Sequence, residues 1–516
     1  MKKRNMAVNL IVIFVLFISS IIFFFAHYIS SEFEGQNIDK MIYYITSGMD
    51  GTSTNIFTSA LQAGLIPTLL LFFVLSVPII RIKKWNHIIE VSFKDKKLRF
   101  CMFPINIFYK FRVIYACIMF TLSLTALFNF LDTGAYIKRL NSYSTFIESH
   151  YVDGSKVPVV FPENKRNLII LYVESLENSM INVENGGGWR YSVIPELEKI
   201  ALENINFSDS VKIGGAYPIS GTDWTVGALV ATTSGLPLKI PVDGNNYTSS
   251  KNFLSGAYTL GDILKNEGYS LELMVGSDAN FGGRKNYYEK HGDYKIFDLN
   301  TAIIEGKMDS SDSVWWGFDD SHLFEWAKEE ISLLAKSKKP FSFSFLTVNT
   351  HFPDGYLESQ AEKKFETQYE NVHAFSSKQI NEFVEWFQNQ NFYSDTTLII
   401  LGDHLSMQPN NYFSLHTYDG YQRSIYNAFI NTSIDPIDTN NRLFTPLDFY
   451  PTILASIGVK IEGDRLGLGT NLFSDKKTLV EEFGYEHVNE ELAMNSSFYN
   501  KYILQGDFLD LLDQLN

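Results

Sequence analysis

Two stretches of the chain run as uninterrupted aliphatic residues and then stop at acid. Asn167-Leu-Ile-Ile-Leu-Tyr-Val173 ends at Glu174, and Thr397-Leu-Ile-Ile-Leu-Gly402 ends at Asp403-His404. A continuous apolar run bounded by polar residues is the pattern of a strand covered on both faces, which belongs to a parallel sheet packed between helices. Ligands of such sheets gather at the carboxyl ends of the strands. Two carboxylates and an imidazole at that edge therefore predict a metal site.

The rest of the downstream chain supports the sheet. In chain order the strand-like runs are Leu168–Val173, Tyr269–Val275, Pro340–Val348 and Thr397–Leu401. Helical patterns at Ile194–Glu203, Leu260–Asn266, Asp320–Lys336 and Lys378–Gln388 lie between or after them. Alternation of this kind predicts an α/β fold, a mostly parallel sheet flanked by helices. Just past the strands come Glu174, Ser277-Asp278, His351 and Asp403-His404, so polar groups collect where the apolar runs empty.

The upstream chain reads as membrane. Ala7 to His27 is almost entirely Val, Ile, Leu and Phe and follows Lys2, Lys3 and Arg4. Its length suits the roughly 20 residues that cross a bilayer, and it lacks the short apolar core and small-residue cleavage site of a signal peptide. Two more apolar stretches, at about 57–80 and 113–131, complete an expected all-α region of three spans over residues 1–131. Basic residues from Arg81 to Arg112 fall between the last two spans, whereas Glu32, Glu34, Asp39 and Asp50 fall between the first two. The positive-inside bias puts the amino terminus in the cytoplasm and everything after about Asp132 on the outer face of a cell (inner) membrane. Residues 132–164 read as a juxtamembrane helix and linker, and 165–516 as the outer catalytic domain. The only cysteines, Cys101 and Cys117, sit in or beside the membrane part, and a net charge of −15 argues against a nucleic-acid partner.

One more segment carries chemistry. Gly214-Gly-Ala-Tyr-Pro-Ile-Ser-Gly221 is a Gly-rich lead-in to an apolar helix that Gly235 can end, which places a hydroxyl at the helix amino end where a phosphate is well held.

These motifs together resemble the sulfatase and alkaline-phosphatase superfamily, and within it the lipoteichoic-acid synthase and phosphoglycerol transferase I family. The strand-terminal acid of that family is matched by Glu174, its Gly-Asp-His signature by Gly402-Asp403-His404, and its Asn-x-His segment by Asn349-Thr-His351-Phe-Pro353. Leu466-Gly-Leu-Gly469 is similar to a run near the end of the transferase domain. The resemblance implies a nucleophile at the start of the helix that ends near Ser234-Gly235, which selects Thr225, with Thr222 the competing choice. It further implies Glu174, Thr225, Asp403 and His404 as ligands of one divalent cation, Mn²⁺ or else Mg²⁺ or Zn²⁺. His351 is then a phosphate contact or general acid, and Arg284 a phosphate clamp. Gly282 and Val275 stand where the family has an aromatic residue and a histidine. The Cys-x-Pro-x-Arg signature of sulfatases is missing, which speaks against sulfate ester hydrolysis.

The implied activity is transfer of glycerol phosphate from phosphatidylglycerol to an envelope glycan or polymer through a phospho-threonine-type intermediate. The rivals are a phosphoethanolamine transferase, a sulfatase-like phosphodiesterase and a non-catalytic scaffold. Each residue also has a plainer reading. Glu174 serves equally as a helix amino-terminal acid, Thr225 as an N-cap, His351 as a loop residue before Pro353, and Arg284 as part of a solvated helix. His416 and Arg423 have only their position in a polar loop after the metal motif to recommend them. Trp315-Trp316 and the Phe341–Phe345 aromatics read as core.

Overall fold

The computed structural model describes residues 2–32, 54–79, 88–93, 96–101, 109–239, 253–408 and 410–506. Among the described residues there are two compact units, one running up to Ile137 and the other starting at Lys138. The first holds helices Lys2–Glu32, Thr54–Ser76 and Arg112–Phe130, and a hairpin of β1 (Ile88–Phe93) with β2 (Lys96–Cys101). Within it Met6–Tyr28 and Arg112–Phe130 are long and apolar enough to cross a membrane. The expected middle span overlaps helix Thr54–Ser76, whose described apolar part, Gly64–Ser76, is shorter than a bilayer crossing needs. Leu10, Phe14, Ile66, Phe73, Ile114 and Leu122 are exposed on these helices, an outward hydrocarbon surface that water does not favour. The acidic stretch between the first two helices, and much of the basic stretch, lie outside the described residues.

The second unit is built on a sheet of seven strands. Its members are β4 (Asn167–Val173), β5 (Gly215–Ala216), β6 (Ser270–Val275), β7 (Lys295–Phe297), β8 (Phe341–Leu346), β9 (Thr396–Gly402) and β10 (Ile425–Ile430), in the order β5-β10-β9-β4-β8-β6-β7. From β9 to β7 every pairing is parallel, and β10 and β5 close the other side antiparallel. The sequence pattern explains why β4 and β9 are central: alternate residues serve opposite layers. Leu168, Ile170 and Tyr172 enter one hydrophobic core, Ile169, Leu171 and Val173 the other, and all six are fully buried. Each such aliphatic side chain contributes about 1.5–3 kcal/mol when buried, so neither strand has a face it can turn to solvent.

Helices fill both layers as the alternation predicts. Leu260–Asn266 and Asp320–Lys336 have the expected bounds, while Gln368–Gln388 begins ten residues before the expected Lys378. That start is set by Thr367, whose hydroxyl accepts the amide of Glu370. The stretch expected as a linker takes part in the unit. Phe146 and Ile147 enter the core, and Val159–Val160 (β3) pairs with Lys460–Ile461 (β11). Sequence periodicity did not single out β7 or β10. β7 has three residues, and β10 reads as an isolated Ile-Tyr-Asn-Ala-Phe-Ile run whose antiparallel direction no local pattern reveals.

Candidate active site

The register of β4 against β9 brings the acids together. Val173 pairs with Gly402, so the next residues of both strands, Glu174 and Asp403, leave the sheet side by side. Gly402 is required there, since a Cβ would lie 1.9 Å from the carbonyl oxygen of Leu176. Ser175 follows Glu174 with φ of +56°, a conformation that costs a non-glycine residue energy and persists only where the surroundings enforce it. Here they do: the Ser175 amide donates to Asp403 Oδ1 at 2.8 Å, and its hydroxyl donates to Glu174 Oε1 at 2.8 Å. The end of β8 completes the frame, with the Glu174 amide donating to Thr347 Oγ1 and the Thr350 hydroxyl donating to the Glu174 carbonyl.

Glu174, Asp403 and His404 are all buried, and one ligand atom from each lies within 4.8 Å of the others. His404 Nε2 sits 3.4 Å from Glu174 Oε1 and 3.4 Å from Asp403 Oδ2. Its Nδ1 donates to the carbonyl of Leu405 at 2.8 Å, which fixes the tautomer and leaves Nε2 with a lone pair aimed at the carboxylates. Asp403 Oδ1 accepts the amides of Ser175 and His404, while Oδ2 is buried without a hydrogen-bond partner. Burial, followed by the Asp403 charge, pushes the Glu174 carboxyl up, and burial pushes Asp403 up to about 7. Two close, desolvated carboxylates and a bare imidazole nitrogen make an unfavourable group by themselves and a fitting one around a divalent cation.

Thr225 opens helix Thr225–Ser234 as its first helical residue, after Trp224 at the cap position. It is therefore not the N-cap that an isolated threonine would be. Its Oγ1 lies 3.4 Å from Glu174 Oε2 and 3.3 Å from His404 Nε2. Gly235 ends the helix with φ of +64°, and its carbonyl accepts the amide of Leu468, so the Leu466–Gly469 run packs the far end of this helix. Thr222 sits elsewhere in character. It is fully buried, and its hydroxyl donates to the Ile219 carbonyl and accepts the Ile219 amide, closing a turn.

The opposite wall comes from loops after β6 and β8. His351 is half-buried, and burial lowers its pKa against the pull of the Glu174 charge. Its Nδ1 donates to the Phe352 carbonyl at 2.6 Å, leaving Nε2 unprotonated in the neutral form. The Trp316 ring packs 4.8 Å from it, and Phe281 packs 5.2 Å from Trp316. Arg284 is buried; its guanidinium donates to the carbonyls of Phe281 and Asp278 and to Ser277 Oγ, and it acts electrostatically on His351. The expected phosphate clamp is thus also the pin of its own loop. Beneath His351, the fully buried Asp320 accepts the amides of Val348 and Asn349, and burial raises its carboxyl to about 8.

Four positions carry roles that the sequence did not reveal. Glu177 forms a buried ion pair with Arg423 and accepts the amide of Ser406, tying the loop after β4 to the loop after His404. Arg423, stacked 3.7 Å from the Phe413 ring, is thereby a structural partner of Glu177. His416 stacks on Trp189 with centroids 4.9 Å apart and donates to the Tyr412 carbonyl. Trp316, read as core, packs against His351. The signal for Glu177 was present as a second acid three residues after Glu174, but its partner is 246 residues away.

Phosphoglycerol transferase I of Salmonella choleraesuis (strain SC-B67) is 29% identical over 255 residues, which is 48% of this chain and 32% of that protein. The chain thus spans about a third of the length of the curated relatives it matches. Among solved structures, an alkaline phosphatase superfamily protein from Vibrio parahaemolyticus is 22% identical with a TM-score of 0.45, covering 60% of this chain and 71% of its own. The lipoteichoic acid synthase LtaP from Listeria monocytogenes is 17% identical with a TM-score of 0.47, covering 64% and 80%. The sulfatase family model matches residues 166–459, which takes in more than half of the chain and all of the strand-end acids, and the protein therefore belongs to the sulfatase family.

Proposed function

We propose that the protein is a membrane-anchored phosphotransferase that moves glycerol phosphate from phosphatidylglycerol to an envelope glycan or polymer, with Thr225 as the nucleophile. The observation that carries this reading is the Thr225 hydroxyl at a helix start, 3.3 Å from His404 Nε2 and 3.4 Å from Glu174 Oε2. The name phosphoglycerol transferase I borne by its curated relatives supports glycerol phosphate as the group transferred. The anchor comprises residues up to about 131, and the catalytic unit faces outward, as the positive-inside bias favours. Residence in the membrane suits a donor whose acyl chains stay in the bilayer.

Glu174, Asp403, His404 and Thr225 would hold one divalent cation, with Mn²⁺ best suited to a mixed oxygen and imidazole set. When bound, such an ion neutralises phosphoryl charge and makes a coordinated hydroxyl more acidic. Thr225 Oγ1 attacks the donor phosphorus as its proton passes toward Glu174 Oε2, and the bond to diacylglycerol breaks. His351 is neutral in the empty site, but a phosphate anion beside it favours the imidazolium, so the seated donor charges its own general acid. Nε2 then gives its proton to the departing alkoxide, leaving glycerophospho-Thr225. In the second half the neutral Nε2 takes the proton of an acceptor hydroxyl, which displaces Thr225 at phosphorus while Glu174 returns its proton to Oγ1, and the enzyme is restored.

Incubation of the full chain with labelled phosphatidylglycerol, with and without Mn²⁺, tests the reading. Diacylglycerol release together with a peptide bearing glycerophosphate on Thr225 is the expected result. Release with phosphatidylethanolamine but not phosphatidylglycerol would reassign the donor.

A further inference from the structure

Helix Asp320–Lys336 leads into β8. A helix that links parallel strands runs back against the strand it feeds, so its amino end returns to the edge where β8 stops. Two buried acids meet the loop there. Asp320, the first residue of the helix, forks over two consecutive amides: Oδ1 accepts that of Val348 at 2.8 Å, and Oδ2 that of Asn349 at 3.2 Å. Glu358, 3% exposed, accepts the side-chain amide of Asn349 on Oε1 at 2.7 Å. It also accepts the Ser321 amide at 3.2 Å and the side-chain amides of Gln360 and Gln379. The free N–H groups and partial positive charge of a helix amino end let two carboxylates stay buried beside it.

Both acids act on the stretch that ends in His351. The Val348 carbonyl accepts the amide of His351 and the Asn349 carbonyl that of Tyr356, which folds the loop into a turn. The other side of the same stretch is fastened to a ligand-bearing strand end. Thr347 Oγ1 accepts the amide of Glu174 at 3.0 Å, and Thr350 Oγ1 donates to the Glu174 carbonyl at 2.6 Å. Thr347 and Thr350 thus tie the loop to Glu174, while Val348 and Asn349, between them, are gripped from the helix. The His351 ring bonds through Nδ1 to the Phe352 carbonyl of its own loop, so the position of Nε2 follows the backbone.

A neutral side chain cannot replace the fork of Asp320. Asparagine offers one acceptor oxygen and turns an N–H toward the second amide, leaving a buried donor without a partner. We propose that Asp320 and Glu358 are positioning residues whose carboxylates clamp Val348 and Asn349, so that His351 Nε2 meets the leaving oxygen of the donor. The assignment rests on the reading of His351 as general acid toward that oxygen.

The test compares two donors on the full chain in detergent with Mn²⁺. The alkoxide of phosphatidylglycerol needs a proton to leave, and the nitrophenolate of glycerophospho-p-nitrophenol does not. With either donor Thr225 Oγ1 bonds to phosphorus as the bond to the leaving oxygen breaks, and release in the first turnover is recorded. The assays run above pH 8, because burial raises the Asp320 carboxyl to about 8. Asp320→Asn is expected to slow diacylglycerol release about 10²-fold, the scale for a misplaced catalytic group. Nitrophenolate release should fall far less, with metal content at the parent level. Added to His351→Gln, it should slow diacylglycerol release no further, because the two changes act through one group. Glu358→Gln should show the same bias between donors at smaller amplitude, and it decides the matter if Asp320→Asn does not fold.

Equal losses on both donors in a folded variant, additive losses in the double variant, or unaltered diacylglycerol release overturn the proposal. His351→Gln slowing both donors equally would instead fail the general-acid reading, and hydrogen exchange then judges the clamp by itself. Faster exchange over residues 347–351 in Asp320→Asn, with β4 and β9 protected as in the parent, sustains the clamp. Unchanged exchange there sinks it.

Discussion

The two halves of the candidate site are made by different means. Glu174, Asp403 and His404 stand at the ends of paired central strands, where the ladder from Asn167↔Thr396 to Val173↔Gly402 fixes their spacing. His351 stands on a loop and Arg284 at the first position of the short helix Arg284–Lys290, held by bonds from side chain to backbone: Asp320 to the amides of Val348 and Asn349, and Arg284 to the carbonyls of Phe281 and Asp278. The first half is as rigid as the core. The second depends on a few polar contacts, and its precision can be altered without disturbing the fold. Removing a ligand should therefore abolish binding of an ion, while removing a loop residue should change rates and substrate affinity.

The largest effect is expected where the halves meet. Thr225→Ala should lower transfer by about 10⁴-fold or more, the scale on which loss of a nucleophile acts, with no glycerophosphate found on the protein by mass spectrometry. Thr222→Ala should keep the chemistry and lose roughly 1 kcal/mol of stability, since it removes one buried turn-closing hydroxyl. Full activity in Thr225→Ala would move the nucleophile away from the ligand trio and undo the architecture proposed.

Next in size is the ligand half itself. Asp403→Asn and Glu174→Gln should each lose bound metal, read by elemental analysis, along with activity. Acidity gives a second measure. The Asp403 carboxyl is raised by burial to about 7 and Glu174 is raised as well, so in the metal-free protein these groups hold protons that an ion must displace. Metal uptake near pH 6 should release protons, measurable by calorimetry in buffers of different ionisation enthalpy, and apparent affinity should weaken as pH falls below about 7. The stability sign is the reverse of the usual salt-bridged acid. A folded-state pKa above the unfolded value means that the folded metal-free chain binds more protons, so its stability falls as pH rises from about 4 toward 7. Asp320 and Asp448, raised by burial to about 8 and about 6, add in the same direction. Bound metal should remove the part due to the site. Unchanged thermal stability of the metal-free protein between pH 5 and 8, by the scale of the shifts at Asp403, would contradict the burial of these acids.

The same contrast explains what the sequence disclosed. A strand buried on both faces writes itself as an unbroken aliphatic run, so β4, β9 and the acids after them were legible, and so was the helix between Thr225 and Gly235. The loop half left weaker traces. Arg284 was placed by resemblance, but nothing local told that its guanidinium would bind its own loop carbonyls. Trp316 meets His351 only because β8 lies beside β6, a non-local fact of strand order. Glu177 and Arg423 were visible as residues and illegible as a pair, since ion pairs across 246 residues have no sequence period.

His351 should sharpen the contrast further. His351→Gln is expected to lower kcat by about 10²–10⁴-fold, the range for a general acid–base group, while metal content stays at the parent level. A loss of metal in this variant would show that the loop wall helps to build the ligand half and would break the division drawn between them.

The smallest effect belongs to Arg284, where geometry and resemblance pull apart. A direct clamp on the donor phosphate would need the planar fork, and Arg284→Lys would then lower kcat and donor affinity together. The guanidinium instead spends its Nε and Nη2 donors on Phe281, Asp278 and Ser277, which holds the loop carrying Phe281 against Trp316 and so against His351. A lysine keeps the charge and loses those parallel contacts. The expected outcome is a donor KM raised by only a few-fold, about 1 kcal/mol or less in binding, with kcat nearly kept and a lower unfolding temperature. A hundredfold fall in kcat at unchanged thermal stability would instead make Arg284 a direct participant at the phosphorus, and the loop half would then be chemical rather than supportive.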